Sequence, residues 1–145
     1  MVCFYAKKTE DEKLTQCRGE LRFEDVSFKY PGAEGDVLGH ISFTAKPGQT
    51  TAVIGSTGCG KSTLIQLIPR FYDVTDGDIR IDGQDVRHVT QRSLRQQVGV
   101  VQQDVFLFAD SILNNIRCGK PEATEEEVIR AAQLAEIYDD IRAMP

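Results

Sequence analysis

The chain has 145 residues, enough for one domain, and carries 17 Lys and Arg against 22 Asp and Glu, a net charge of −5. This acidic balance argues against a general nucleic-acid binder. No apolar run reaches the roughly 20 residues that cross a bilayer. The four cysteines, at positions 3, 17, 59 and 118, form no CxxC pair and follow no secretory signal. We therefore expect reduced thiols rather than disulfides or a metal centre.

The first half of the chain is predicted to consist mainly of β-strands. Residues 1–18 are polar and aperiodic, which predicts a linker stub or disordered N-terminus, with the domain itself over 19–145. Residues Leu21–Tyr30 alternate apolar and polar side chains with one slip, the pattern of a half-buried strand. A second strand is predicted over Val37–Ala45. The β-branched run Thr50–Ile54 is apolar on both faces and predicts a buried parallel strand.

The second half mixes helices and short strands. A helix is predicted over Lys61–Ile68, stopped by Pro69, and short strands over Ile79–Ile81 and Val98–Val101. A turn at Asp76–Asp78 precedes the first of these strands, and Asp82-Gly83 ends it. The whole order predicts an α/β domain.

One long helix is predicted over Thr124–Ala143. Thr124 and Glu127 have the spacing of a capping box. Apolar residues recur every three or four positions and predict one buried stripe: Val128, Ala131, Ala135, Tyr138 and Ile141.

The segment between the predicted strand at 50–54 and the helix at 61–68 is GSTGCGKS, residues 55–62. It matches G-x-x-x-x-G-K-[ST], the P-loop, in the strand–loop–helix context that this motif requires. The glycines allow a tight loop with inward-facing amides, and the helix N-terminus adds partial positive charge. Lys61 supplies a full charge for the β- and γ-phosphates of a nucleotide, and the Ser62 hydroxyl is a magnesium ligand.

Two other groups of charged residues indicate structure rather than chemistry. The aspartates at 76, 78, 82 and 85 lack the spacing of a calcium loop and are interpreted as turn formers. Arg87, Arg92 and Arg95 are interpreted as a solvated helix face, with a phosphate or partner contact as the alternative. Cys59 has no adjacent base, so we interpret it as a small spacer within the loop.

Several stretches together resemble the nucleotide-binding domain of ATP-binding cassette (ABC) transporters, exporter type. They are FEDVSFKYPG at 23–32, AVIGSTGCGKSTLIQLIPRFYDVTDGDIRIDG at 52–83, SLRQQVGVVQQDVFLFADSILNNI at 93–116, and the helix after Thr124. The resemblance covers about 125 residues and is more specific than the P-loop alone. It implies an α/β fold, a P-loop NTPase (ABC ATPase) core with an N-terminal antiparallel β-subdomain, incomplete at the C-terminus.

The resemblance also implies ATP and Mg²⁺ as ligands and assigns site residues. Tyr30 matches the aromatic that stacks on adenine, with an ordinary strand-end aromatic as the alternative. Gln103 aligns with the glutamine that binds magnesium and senses the γ-phosphate, although a shift to Gln102 is possible. Lys61 and Gln103 are the implied catalytic residues, and Ser62 and Gln103 the implied metal ligands. The implied nucleotide-binding residues are Tyr30, Gly55, Ser56, Thr57, Gly58, Cys59, Gly60, Lys61, Ser62 and Thr63.

The implied partners are a transmembrane domain and a second nucleotide-binding domain in a head-to-tail dimer, with no nucleic acid. The segment Asp104–Ile116 resembles the part that receives the membrane domain. Its Phe106-Leu107-Phe108 run is apolar for a loop and fits either a contact surface or core packing. This places the chain in the cytoplasm, at the inner face of the membrane through its partner.

The sequence departs from the family pattern in small and large ways. Pro69 and Val74 affect local geometry only. The LSGGQ signature, the apolar strand ending in Asp-Glu and the switch histidine do not occur within the 145 residues. We therefore expect weak nucleotide binding and negligible hydrolysis from this chain alone, because nothing orients the attacking water.

Three alternatives to an exporter ATPase fragment stay open. One is a non-catalytic nucleotide-binding or interaction fragment that pairs with an intact subunit. Another is a soluble ABC ATPase acting on ribosomes or DNA. The third is a small-molecule P-loop kinase, which the positions of Tyr30 and Gln103 disfavour.

Overall fold

A computed structural model describes Leu14, residues 18–101 and residues 106–144. These residues fall into two units, one up to Val100 and one from Val101. The first unit contains a four-stranded antiparallel sheet in the order β2-β1-β3-β4. Its strands are β1 (Leu21–Phe28), β2 (Leu38–Ala45), β3 (Asp76–Ile81) and β4 (Gln84–Asp85). The predicted antiparallel β-subdomain is therefore confirmed.

The slip in the alternation of β1 is a β-bulge. The pairing of β1 shifts register between Phe23 and Val26 on the β2 side and between Glu24 and Ser27 on the β3 side, and Asp25 adopts a left-handed backbone with φ 49°. The bulge turns Val26 and Phe28 back to the core side, where both are buried with Phe23. On β3, Gly77 faces the bulge closely, since a Cβ there would lie 2.4 Å from the Asp25 carbonyl oxygen.

Among the described residues of the first unit there are also two α-helices and a short 3₁₀ helix, Val86–His88. Helix α1 (Lys61–Leu67) confirms the predicted helix and ends just before Pro69. Helix α2 (Gln91–Gln97) is capped by the Thr90 side chain, which accepts from the Ser93 amide. Buried Leu64, Leu67 and Leu94 join the side chains of β1 and β3 in one hydrophobic core.

Leu14 belongs to this core although it lies within the segment expected as a linker stub. It is buried, and its amide donates to Ser93 Oγ at 3.2 Å. Residues 1–13 and 15–17 lie outside the described residues. The boundary between residues 18 and 19 stays a prediction.

The two strands predicted at 50–54 and 98–101 do not form, and this prediction was wrong. Thr51–Ser56 and Val98–Val101 have no strand structure, and Ile54 and Val101 are 93% and 99% exposed. A buried parallel strand needs neighbours to pair its amides and carbonyls and cover its faces. Among the described residues, no strand pairs with either segment.

The second unit is helical, with α3 (Ile112–Arg117), α4 (Glu125–Leu134) and α5 (Tyr138–Ala143). Helix α4 packs against both α3 and α5. The predicted capping box is confirmed, because Thr124 accepts from the Glu127 amide and Glu127 accepts from the Thr124 amide.

The single helix predicted over Thr124–Ala143 is two helices. Glu136 adopts φ 58°, its amide donates to Gln133 O, and the Ile137 amide donates to Ala132 O. These two bonds are a Schellman ending, which normally uses glycine at the left-handed position. The predicted stripe was also wrong in part, since Val128 and Ala132 are buried in α4 while Ala131 and Ala135 are exposed.

The basic residues at 87, 92 and 95 do not form one solvated face. Arg87 precedes α2 and pairs with Asp78 and Asp85, and Arg95 donates to the carbonyls of Pro69 and Arg70. Partial burial raises the pKa of Asp85, but the hydrogen bonds and charge of Arg87 outweigh it and lower the pKa overall. Arg87 therefore connects to β3 and β4, and Arg95 connects α2 to the segment that follows α1.

Candidate nucleotide-binding site

The loop Gly55–Gly60 leads into α1, and its glycines adopt the backbone that the P-loop motif requires. Gly58 and Gly60 have φ of 82° and 89°, a region that side chains disfavour. The Cys59 amide donates to Ser56 O at 3.4 Å and closes a tight turn. A Cβ on Gly55 would lie 2.4 Å from Cys59 Sγ, so a side chain at Gly55 would require the Cys59 side chain to move.

Gly60 connects the loop to the antiparallel sheet. It is buried, and a Cβ there would lie 2.8 Å from Leu38 Cδ2 and 3.1 Å from Val37 O. Leu38 begins β2 and is itself buried. The start of β2 therefore supports the point where the loop becomes α1, a contact that no local sequence pattern indicates.

Lys61 reaches back across the loop. Its Nζ donates to Gly55 O at 2.8 Å and to Ser56 O at 2.6 Å, and lies 3.6 Å from Cys59 Sγ. Among the described residues, no carboxylate lies within ion-pair distance of this ammonium group. In this part of the chain its charge is therefore held by neutral groups, which suits a ligand that brings its own negative charge.

The donors at this loop fit a nucleoside triphosphate with magnesium. The ammonium of Lys61 is a cation for phosphate oxygens, and the exposed Ser62 provides a hydroxyl for a hard metal ion. The first amides of α1 have no preceding turn to bond to, so they add donors of the same kind. The loop residues Ser56–Cys59 are exposed, which leaves the site open to a ligand.

Tyr30 lies beside this loop. It follows β1 at a turn in which the Ala33 amide donates to Tyr30 O at 3.0 Å. Its hydroxyl is hydrogen-bonded to Thr63 Oγ1 of α1 at 3.0 Å. The structure thus brings Tyr30, Lys61, Ser62 and Thr63 together. The bond between Tyr30 and Thr63 spans 33 positions and has no signal in the sequence.

Gln103 lies outside the described residues, together with Gln102, Asp104 and Val105. Its predicted role stays a prediction. Among the residues that the structure does describe, no group of three or more His, Cys, Asp or Glu side chains is arranged for a metal ion. Cys59 and Cys118 are free and exposed.

The second unit carries an apolar surface of its own. Phe106, Leu107 and Phe108 are 78%, 70% and 57% exposed, so they are not packed in a core formed by the described residues. They border a cavity of about 640 Å³ that Ile137 and Ile141 also line. In the parts of the chain that the structure covers, no helix has the length and hydrophobicity needed to cross a membrane.

Comparison with known proteins shows the family to which the chain belongs. The model of the ABC transporter family matches residues 38–144. The chain is 52% identical over 129 residues to human ATP-binding cassette sub-family B member 6. This match covers 88% of the chain and 15% of that protein. It is 44% identical over 140 residues to multidrug resistance protein 1 of Entamoeba histolytica, covering 94% of the chain and 11% of the relative.

A solved structure agrees with these relatives. A bacterial Atm1-family ABC exporter with ATP bound superposes with a TM-score of 0.89 at 41% identity, over 97% of the chain and 24% of that protein. The chain therefore spans less than a quarter of the length of each of these proteins. It belongs to the ABC transporter family and is part of an ATP-binding domain of the exporter type.

Proposed function

We propose that the chain binds Mg-ATP at the loop 55–63, and that in the complete protein this binding and the hydrolysis of ATP power export of a substrate across a membrane. The observation that carries the proposal is the position of Lys61. Its ammonium lies across the P-loop on the carbonyls of Gly55 and Ser56. An incoming phosphate replaces these neutral acceptors with anionic oxygens, so that the ammonium group gains an ion pair in addition to its hydrogen bonds.

Each residue of the loop has a task in this proposal. Lys61 binds the β- and γ-phosphates, and the backbone amides of residues 56–63 bind further phosphate oxygens. Ser62 holds the magnesium ion with its hydroxyl. Bound magnesium neutralises phosphate charge. Tyr30 contacts the adenine base, and Gln103 adds a second oxygen ligand for magnesium, as the resemblance implies.

Hydrolysis is a property of the complete protein in this proposal. The attacking water needs a residue that orients it. Among the described residues, the Lys61 ammonium group hydrogen-bonds to Gly55, Ser56 and Cys59, and no carboxylate pairs with it. We expect the 145-residue chain to bind ATP weakly without multiple turnovers.

One partner is proposed from the exposed apolar surface of the second unit, and the other from the resemblance to ABC transporters. We propose that the segment Asp104–Ile116 contacts the transmembrane domain, supported by the exposure of Phe106, Leu107 and Phe108. A second nucleotide-binding domain faces the P-loop in a head-to-tail dimer. The chain then works in the cytoplasm, at the inner face of the membrane that holds its partner.

Calorimetric titration of the 145-residue chain with Mg-ATP tests the proposal. Lys61→Ala is expected to weaken binding at least tenfold, since hydrogen bonds to charged groups contribute about 1.5–3 kcal/mol. Lys120→Ala is the matched control, because Lys120 pairs with Glu127 in the second unit. It is expected to bind ATP like the unaltered chain. Equal affinity in the Lys61→Ala variant, or no binding by the unaltered chain, contradicts the proposal.

A further inference from the structure

Tyr30 is held by aromatic rings from two parts of the chain. Its ring packs edge-to-face against Phe28 at the end of β1, with centroids 4.8 Å apart and planes at 83°. It also packs edge-to-face against Tyr72, with centroids 5.2 Å apart and planes at 89°. Tyr72 lies between α1 and β3, and its own ring is 5.5 Å from Phe28. The three rings form one cluster, defined here as the Tyr30 cluster.

The hydroxyl of Tyr30 is fixed as well. It bonds Thr63 Oγ1 at 3.0 Å, and Thr63 is only 6% exposed. Thr63 lies two residues after Lys61 on the same helix, so the bond joins the tip of the Tyr30 ring to the helix that begins at the P-loop. The edge contacts set the tilt of the ring, and the hydroxyl bond sets its distance from the loop.

We propose that Thr63 and Tyr72 are positioning residues that hold the Tyr30 ring at a set tilt and distance from the P-loop, so that a base and its phosphates are bound together. This inference rests on the proposed function. Tyr30 follows a strand end and precedes a turn, where a side chain without such contacts samples several rotamers. Fixing the ring before the ligand arrives removes that ordering cost from binding.

A consequence is selectivity for ligands that carry an aromatic base. A prearranged ring favours a nucleoside triphosphate, whose base stacks on it, and does nothing for a bare polyphosphate. Loss of the positioning contacts therefore reduces the preference for ATP over inorganic tripolyphosphate. A purely structural role for Thr63 and Tyr72 weakens both ligands alike, because the whole site is then disturbed.

The test is calorimetric titration of the 145-residue chain with Mg-ATP and, separately, with magnesium tripolyphosphate. Tyr72→Leu is expected to weaken ATP binding about three- to tenfold and to leave tripolyphosphate binding unchanged. Thr63→Val is expected to weaken ATP binding more than tripolyphosphate binding. Thr63→Ser keeps the hydroxyl and is expected to retain the affinity for ATP.

A double-mutant cycle isolates the hydroxyl pair. Tyr30→Phe and Thr63→Val each remove one partner of the same bond, so the double variant is expected to lose no more ATP affinity than the more affected single variant. Additive losses, or equal losses for ATP and tripolyphosphate, overturn the positioning roles. If Lys61→Ala still weakens ATP binding in that case, the proposed function stands. No binding by the unaltered chain overturns both.

Discussion

The antiparallel sheet and the two segments 51–56 and 98–101 differ in the opposite sense to their content of β-branched residues. The segments are rich in them and form no strand, whereas the strands of the sheet contain fewer of them. Within the sheet, Phe23 and Ile79 are buried, whereas Ile54 and Val101 are exposed almost completely. Strand propensity therefore does not decide between them. The sheet strands pair with antiparallel neighbours, while the two segments have no neighbouring strand among the described residues.

Truncation of a core side chain in the sheet is expected to have the largest effect on the free energy of unfolding. Phe23→Ala removes a buried ring that stacks on Phe43 at 4.6 Å, and is expected to destabilise the chain by about 3–5 kcal/mol. Ile54→Ala is the matched control in the P-loop segment, with an expected change within about 0.5 kcal/mol. Urea denaturation followed by circular dichroism measures both. Similar losses in the two variants contradict the exposure of the 51–56 segment.

The bulge of β1 is expected to give the next largest effect through its contact with Gly77. Gly77→Ala places a Cβ within 2.4 Å of the carbonyl oxygens of Glu24 and Asp25, at φ 77°. The left-handed strain and the displaced backbone are together expected to cost about 2–4 kcal/mol. Gly83→Ala is the control, since its φ is 82° but nothing lies within 4 Å of the added Cβ.

The free energy of unfolding of the Gly83→Ala variant is expected to fall by only about 1 kcal/mol, because backbone strain is the only cost there. Thermal unfolding of the two variants compares them directly. A loss in Gly77→Ala no greater than in Gly83→Ala shows that the close approach of β3 to the bulge does not hold the sheet together.

The smallest effect concerns the ion pair beside the bulge. Asp25 accepts a hydrogen bond from His40 Nδ1 at 2.9 Å, and this bond and the Asp25 charge raise the pKa of His40 above 6.5. A raised histidine pKa contributes stability below pH 6.5, and that contribution is lost as pH rises through the higher folded pKa. An NMR titration of His40 is expected to show this shift.

Asp25→Asn is expected to return the pKa of His40 towards 6.5, and Asp76→Asn to lower it less, because Asp76 acts only through a weaker charge interaction. An unchanged His40 pKa in Asp25→Asn contradicts the hydrogen bond between Asp25 of β1 and His40 of β2.

The elements that the sequence predicted correctly carry their determinants locally. The alternation of β1, the stop of α1 before Pro69 and the capping box at Thr124 each depend on residues a few positions apart. The segments at 51–56 and 98–101 depend on neighbouring strands, so their own residues predict a strand without deciding whether one forms. The break in the last helix escaped prediction because Glu136 occupies a position where glycine is the usual signal.

The candidate site also has one part that the sequence predicts and another that depends on contacts between distant residues. The P-loop motif identified Lys61 and its loop, because the glycine and lysine spacing is continuous in sequence. The hydrogen bond from Tyr30 to Thr63 and the support of Gly60 by Leu38 join residues that are distant in sequence, and only the folded chain reveals them.

Hydrogen–deuterium exchange of the 145-residue chain, with and without Mg-ATP, tests the central claim most directly. The account predicts slow exchange in β1 and β3, fast exchange at 51–56 and 98–101, and slower exchange at 55–63 when Mg-ATP is added. Lys61→Ala removes the response to ATP and leaves β1 and β3 protected. The account is contradicted if 51–56 is as protected as β1 without ligand, or if Mg-ATP leaves 55–63 unchanged.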